Sequence, residues 1–203
     1  MRASVDRSFL LLFAFVALAV LCAVLSRAQK APVDRPHPEL ALDYTFLRSN
    51  APPGACGCFN LSGGSVNAAF PLGASRWRLT ADATFAHTGS VANSGKSLTL
   101  NSYTVGPRYM LPNGRFPIHP FLQTLVGVAH AGGAISQRQN ATVMGNGIVI
   151  AANLGGGIDL NAGHRFGFRL LEVEDSITAF NNSVNNYQNI LRVSSGVVFR
   201  FGR

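Results

Sequence analysis

The sequence predicts an all-β fold, an eight-stranded antiparallel up-and-down transmembrane β-barrel, and three observations carry that prediction. Apolar and polar residues alternate through eight segments, the period that sends successive side chains to opposite faces of a strand. The segments run to about ten residues, longer than the strands of most globular sheets and close to the roughly 9–11 that cross a bilayer at a tilt. The gaps between them are long and short in turn, the pattern of a barrel that keeps one end trim and lets loops grow at the other.

Composition narrows the alternatives. At 203 residues the chain suits one domain, and with only 13% charged residues, 21 Gly and 14 Phe it is neither a disordered polymer nor a charged cytosolic helical protein. The formal charge is +8. Setting aside Arg2, Arg7, Arg27 and Asp6 of the first segment leaves 14 basic against 8 acidic side chains, or +6, nearly all of it scattered Arg. No window masses Lys and Arg with aromatics between them, so a nucleic-acid partner is not expected.

The first 38 residues stand apart. Met1 to Arg7 is short and basic, Ser8 to Leu25 is apolar, and Ser26-Arg27-Ala28 puts small residues three and one before Gln29. This is the layout of a signal peptide over residues 1–28, cleaved before Gln29; a retained membrane anchor is the alternative. Leu21 precedes Cys22 where lipidation needs Gly or Ala, so lipidation is not expected. Residues 29–38, with three prolines, form an irregular lead-in, and the barrel domain is expected over 39–203.

The strands follow in order. In the first, Leu40, Leu42, Tyr44 and Phe46 share a face opposite Ala41, Asp43 and Thr45. Val66, Ala68 and Phe70 mark the second. In the third, Trp77, Leu79, Ala81, Ala83 and Phe85 oppose Arg78, Thr80, Asp82 and Thr84. The fourth, about Leu98 to Tyr109, and the fifth, Ile118 to His130, alternate poorly and their facing stays open. In the sixth, Gly147 to Leu160, Ile148, Ile150, Leu154 and Ile158 face away from Asn153 and Asp159. The seventh spans Arg165 to Asp175. In the eighth, Asn189 to Phe201, Leu191, Val193, Val197, Phe199 and Phe201 face away from Arg192, Ser194 and Arg200. Long gaps fall at Ser49 to Cys58, His87 to Lys96, Ala131 to Asn146 and Ser176 to Gln188; short ones at Pro71 to Ser75, Leu111 to Pro117 and Asn161 to His164.

Alternation alone does not say which face is inside, and a soluble lipocalin-like barrel is the competing fold. The polar face decides. Beyond the leader the only lysines are Lys30 and Lys96, in the lead-in and in a loop, whereas a water-facing wall is studded with Lys and Glu. The polar face is Ser, Thr, Asn, Gly and Ala with isolated Arg and Asp, which suits the inside of eight strands.

Arg78, Arg169, Arg192 and Arg200 then have Asp43, Asp82, Asp159, Glu172, Glu174 and Asp175 as partners to choose from. Buried charge is costly unless paired, so a lattice of ion pairs plugging the lumen is expected, with a conducting path as the alternative. Arg169 and Glu172 have opposite parity, so if both point inward a bulge must lie near Leu170 and Leu171. Cys56 and Cys58 sit in the first long gap, where a structural disulfide is favoured over a metal site or free thiols. Catalysis finds little support: His87 and Ser90 share a loop, and His130 is followed only by Ala131-Gly132-Gly133. Gly155-Gly156-Gly157 lies mid-strand without a following helix, so it eases curvature or makes room for a lumen side chain instead of cradling phosphate. No cofactor and no metal are expected.

The stretches Leu40-Ala-Leu-Asp-Tyr44, Cys56-Gly-Cys-Phe59, Gly106-Pro-Arg-Tyr109, Pro120-Phe121 leading to Gly127, Gly155-Gly-Gly-Ile-Asp159 and Gly196-Val-Val-Phe-Arg-Phe201 follow one another in a spacing that resembles the small outer-membrane β-barrel family of the OmpA transmembrane-domain type. The resemblance covers about Glu39 to Arg203. It implies a monomeric barrel in the outer membrane of a Gram-negative envelope, in contact with its lipid and inserted by the outer-membrane assembly machinery, with Phe199 and Phe201 in the closing strand as the insertion signal. The chain runs two residues past Phe201, where the family's signal usually ends in the aromatic itself. No peptidoglycan-binding domain is expected after the barrel, so cell-wall anchoring is not expected to carry over. The expected role is structural or surface-interacting and non-enzymatic, with the ligand of the long loops open. A narrow porin-like channel is the alternative, and a lipid-modifying enzyme a remote one.

Overall fold

The computed structural model describes residues 37–49, 58–91, 95, 97–112, 118–133, 147–162, 165–180 and 187–201. Eight strands account for nearly all of them: β1 (Glu39–Ser49), β2 (Phe59–Pro71), β3 (Trp77–Thr88), β4 (Leu98–Met110), β5 (Ile118–Gly133), β6 (Gly147–Asn161), β7 (Phe166–Thr178) and β8 (Gln188–Arg200). Each pairs antiparallel with its sequence neighbours, and β1 pairs with β8, so the sheet is a closed barrel in chain order. Closure removes the two edges that an open eight-stranded sheet would leave unpaired.

Register fixes the width. The row that starts at Ala41 and runs Asn67, Asp82, Thr104, Gly127, Ala151, Thr178 arrives at Gln188, whereas β1 pairs Ala41 directly with Val198, ten residues further along β8. Eight strands with that stagger tilt by roughly 40° and leave an interior that side chains fill. Strands of 11 to 16 residues at this tilt are long enough to cross a bilayer. They extend past the alternating segments read from the sequence chiefly at the end of the long loops; β2, for example, begins at Phe59.

Alternation sorts the two faces. Leu42, Tyr44, Val66, Phe70, Trp77, Leu79, Phe85, Leu154 and Leu191 are exposed on the outer wall, while Asp43, Thr45, Asn67, Thr80, Asp82, Asn153, Arg192 and Ser194 are buried inside. β4 and β5 resolve as well: Ser102, Thr104 and Arg108 point inward from β4, and Phe121, Gln123 and Leu125 from β5. At the short-turn end aromatic pairs girdle the outer wall, with Trp77 and Tyr109 rings 4.9 Å apart and Phe166 and Phe199 rings 5.4 Å apart. Nearer the loop end Phe85 and Tyr103 meet edge to face at 5.8 Å. Aromatic belts at two levels of an apolar wall are the mark of a surface that spans from one membrane interface to the other.

One irregularity interrupts the pleat. Ile158 pairs with Leu171 but Asp159 with Arg169, and on the other side Arg169 pairs with Gly196 and Glu172 with Ser194. The register shifts at Leu170–Leu171, both of which face outward. Arg169 and Glu172 therefore both enter the lumen.

The barrel lumen as the candidate functional site

The lumen is layered. At the short-turn end Glu39 of β1 receives Arg78 of β3 and Arg200 of β8, the latter at 2.9 Å. Above it, Arg169 reaches Asp43 at 2.9 Å, Asp159 at 3.0 Å and Glu172 at 2.7 Å. Arg192 holds both oxygens of Asp82 at 2.9 Å and also meets Glu174 at 2.9 Å. Glu172 joins the two clusters, since it lies 3.7 Å from Arg192 as well. The bidentate Arg192–Asp82 fork is the geometry in which a guanidinium satisfies a buried carboxylate best.

A third guanidinium belongs to the lattice without any carboxylate of its own. Arg108 of β4 is fully buried; its Nε donates to Gln123 Oε1 at 2.7 Å and its Nη2 to Asn67 Oδ1 at 2.9 Å. The Phe121 ring lies under it, 4.1 Å from the guanidinium carbon to the ring centre, with Arg169 5.1 Å from the same centre. The π face supplies negative potential that the missing carboxylate does not. Gln123 then passes the network on, donating to Glu174 Oε1 at 2.6 Å. Room for the Phe121 ring comes from Gly157 of β6, where a Cβ would stand 2.7 Å from Phe121 Cζ.

Every strand thus gives a side chain to one polar lattice: Asp43, Asn67, Asp82, Arg108, Gln123, Asp159, the Arg169–Glu172–Glu174 set and Arg192 in chain order. Together with Glu39, Arg78 and Arg200, the described lumen holds five guanidiniums against six carboxylates, close to neutral.

Toward the long loops the lumen turns apolar. Leu47, Phe59, Leu61, Ala86, Leu98, Leu100, Ala129, Ala131, Ala151 and Ile190 point inward and pack together. Val91, after β3, and Phe180, after β7, close over the cluster, both buried. Beneath the stopper a cluster of hydroxyls joins the lattice: Thr45 Oγ1 is 3.0 Å from both Ser65 Oγ and Ser194 Oγ, and Arg192 Nη2 donates to Ser65 Oγ at 3.1 Å.

Asp43, Arg78, Asp82, Asp159, Arg169, Glu172, Glu174, Arg192 and Arg200 all project into the lumen. Asp175, counted from the sequence among their possible partners, does not: one residue past inward-facing Glu174, it is exposed on the outer wall. Sequence reasoning missed Glu39, Asn67, Arg108 and Gln123. For Arg108 a signal existed: the adjacent Tyr109 is an aromatic at the short-gap end of its strand, as Trp77 is of the one before, and alternation then puts Arg108 inside, as the register bears out. The apolar stopper was also missed, because its members read as interruptions of the polar face. Cys58 is exposed at the start of β2, but Cys56 lies outside the described residues, as do residues 1–28 and most of the lead-in. Phe201 is exposed at the end of β8, its amide N–H donating to the Pro38 carbonyl at 2.9 Å, and Phe199 faces the same way. The partner of His87 is Thr99, 2.9 Å from Nδ1 to Oγ1, while Ser90 Oγ accepts the Gly95 N–H at 3.1 Å.

No family model matches this chain, and no curated protein matches it. Solved structures do. Neisserial surface protein A superposes with a TM-score of 0.61 at 14% identity, over 81% of this chain and 97% of that one. Ail, the attachment invasion locus protein of Yersinia pestis, does so with a TM-score of 0.53 at 13% identity, over 82% of this chain and all of that one. Ail in complex with the heparin analogue sucrose octasulfate matches at 0.51 and 13% identity over the same 82%. The closed eight-stranded barrel of this chain is the fold of the small outer-membrane β-barrels.

Proposed function

We propose that the chain is an outer-membrane barrel with a structural or surface-interacting role, non-enzymatic and non-conducting. The observation that carries this reading is the doubly closed lumen: a near-neutral lattice drawn from all eight strands, and above it an apolar stopper. An aqueous path through such an interior would have to break buried ion pairs and wet an apolar cluster, and both are costly. Outer-membrane lipid covers the apolar wall, and the assembly machinery inserts the chain by its closing strand. What remains free for interaction is the end that carries the long loops, whose ligand is open.

Planar-bilayer recording on the refolded chain tests the proposal. A silent bilayer, with heat-modifiable migration attesting folded barrel, is the expected result. Discrete, reproducible conductance steps would favour the narrow channel instead. A hydrolytic or acyl-transfer activity toward outer-membrane glycolipid that is lost on His87→Ala would favour the enzyme, because His87 Nδ1 lies 2.9 Å from the Thr99 hydroxyl.

A further inference from the structure

The outer wall formed by β7, β8 and β1 carries two charges, Asp175 and Arg48. Asp175 stands at the loop-end rim of the apolar belt, level with the Phe85–Tyr103 pair, yet among apolar neighbours. Val173 and Ile177 flank it along β7, and Leu154 and Leu191 are its cross-strand neighbours. Beyond it toward the loop end, Ile150 and Ile148 of β6 remain 72% and 71% exposed. At that interface a carboxylate set among apolar side chains gains from a cation placed against it. Among the described residues it makes no ion pair or hydrogen bond, and neither does Arg48.

The two charges are related by β8. Leu191 pairs with Asp175 on one side and with Arg48 on the other, so all three lie on one hydrogen-bond row with Leu191 in the middle. We propose that this face docks a second copy of the same chain, about a two-fold axis parallel to the barrel axis and facing Leu191. Such an axis sets β1 of each copy against β7 of the other, and the contact is isologous. Arg48 of each copy then meets Asp175 of the other, twice, on either side of a contact between the two Leu191 side chains. Strand tilt puts Arg48 nearer the loop end than Asp175 by on the order of 5 Å, within reach of an arginine side chain. Covered by the partner barrel each pair is screened less than on the free wall, and it brings a cation to Asp175, which has none among the described residues. The inference departs from the expected monomer and rests on the reading of this wall as lipid-facing.

The test is disulfide cross-linking in membranes from cells expressing the full chain with Cys56→Ser, Cys58→Ser and Leu191→Cys. A cross-linked dimer is expected. Arg48→Asp or Asp175→Arg alone sets like charges against each other and should lower the dimer at least tenfold. Co-expression of the two variants under different tags should restore it, only between differently tagged chains, because both contacts across the two-fold axis then again join a carboxylate to a guanidinium. Rescue in trans excludes a bridge within one chain, in which Arg48 arches over Leu191 to Asp175; loss without rescue would establish that bridge and overturn the dimer. Equal cross-linking in all variants, or none in the parent while the heat-modifiable folded band is present, would overturn it as well. Fractionation of the same samples reports separately whether the barrel lies in the outer membrane.

Discussion

The Arg169 guanidinium stands 2.7 Å from the Glu172 carboxylate, although three residues of regular strand would send the two side chains to opposite sides of the wall. The bulge at Leu170–Leu171 makes the contact possible and turns two consecutive leucines outward. Replacing either leucine with Arg should therefore cost about 2–4 kcal/mol in a bilayer refolding assay, as for a charge on the lipid face. Strict alternation would instead put one of them inside; a marked asymmetry between the two variants would argue against the bulge.

The same scale applies to the rest of the wall. Arg at Leu79, Leu154 or Val197 should cost roughly 2–4 kcal/mol by equilibrium refolding into lipid. If Arg were harmless there and disruptive instead at Thr80, Asn153 or Ser194, the outer wall would be facing water.

Arg169 neutralises three carboxylates at once, those of Asp43, Asp159 and Glu172. Arg169→Met leaves them facing one another and should cost about 3–5 kcal/mol, the loss typical when one partner of a buried ion pair is removed. Asp43→Asn removes one contact of three and should cost less. Urea unfolding of both variants in the same detergent or lipid gives the comparison, and equal losses would mean that the lattice does not act through Arg169.

Phe180 closes the stopper from the segment after β7. Phe180→Ala should lower stability by about 3–5 kcal/mol through the void it leaves. It should not make the barrel conduct, because the charged lattice below still fills the lumen. Thermal melts together with bilayer recordings check both halves of this expectation.

Phe199 and Phe201 project from one face at the end of β8, where aromatics suit the membrane interface. If the assembly machinery reads this strand by edge pairing, a polar residue at Phe201 should reduce the folded band in cells more than it reduces the melting temperature of refolded protein. Equal losses would leave Phe201 a girdle residue only.

Strand positions were legible because period two is a local property, and Trp77 to Phe85 shows it without interruption. β4 and β5 were not, because their inward faces carry Leu98, Leu100 and Leu125 while Thr99, Asn101 and Thr124 face outward, so hydropathy runs against facing in parts of both strands. At Leu98 and Leu100 that inversion is the stopper itself. Its members fit inside the barrel only because the loop end of the lumen is closed over by Val91 and Phe180, a fact about the closed sheet and not about any one strand.

By itself the sequence determined the strand count, their order, the up-and-down closure and the apolar outer wall, and it required a bulge if Arg169 and Glu172 were both to point inward. Each of these follows from which neighbours alternate within about a dozen residues. Only the tertiary structure decided which charges meet. Arg169 and Asp43 lie 126 positions apart, and Arg192 and Asp82 lie 110 apart. They come together through the ten-residue stagger with which β1 closes on β8, a quantity set by all eight registers at once and written in no single segment.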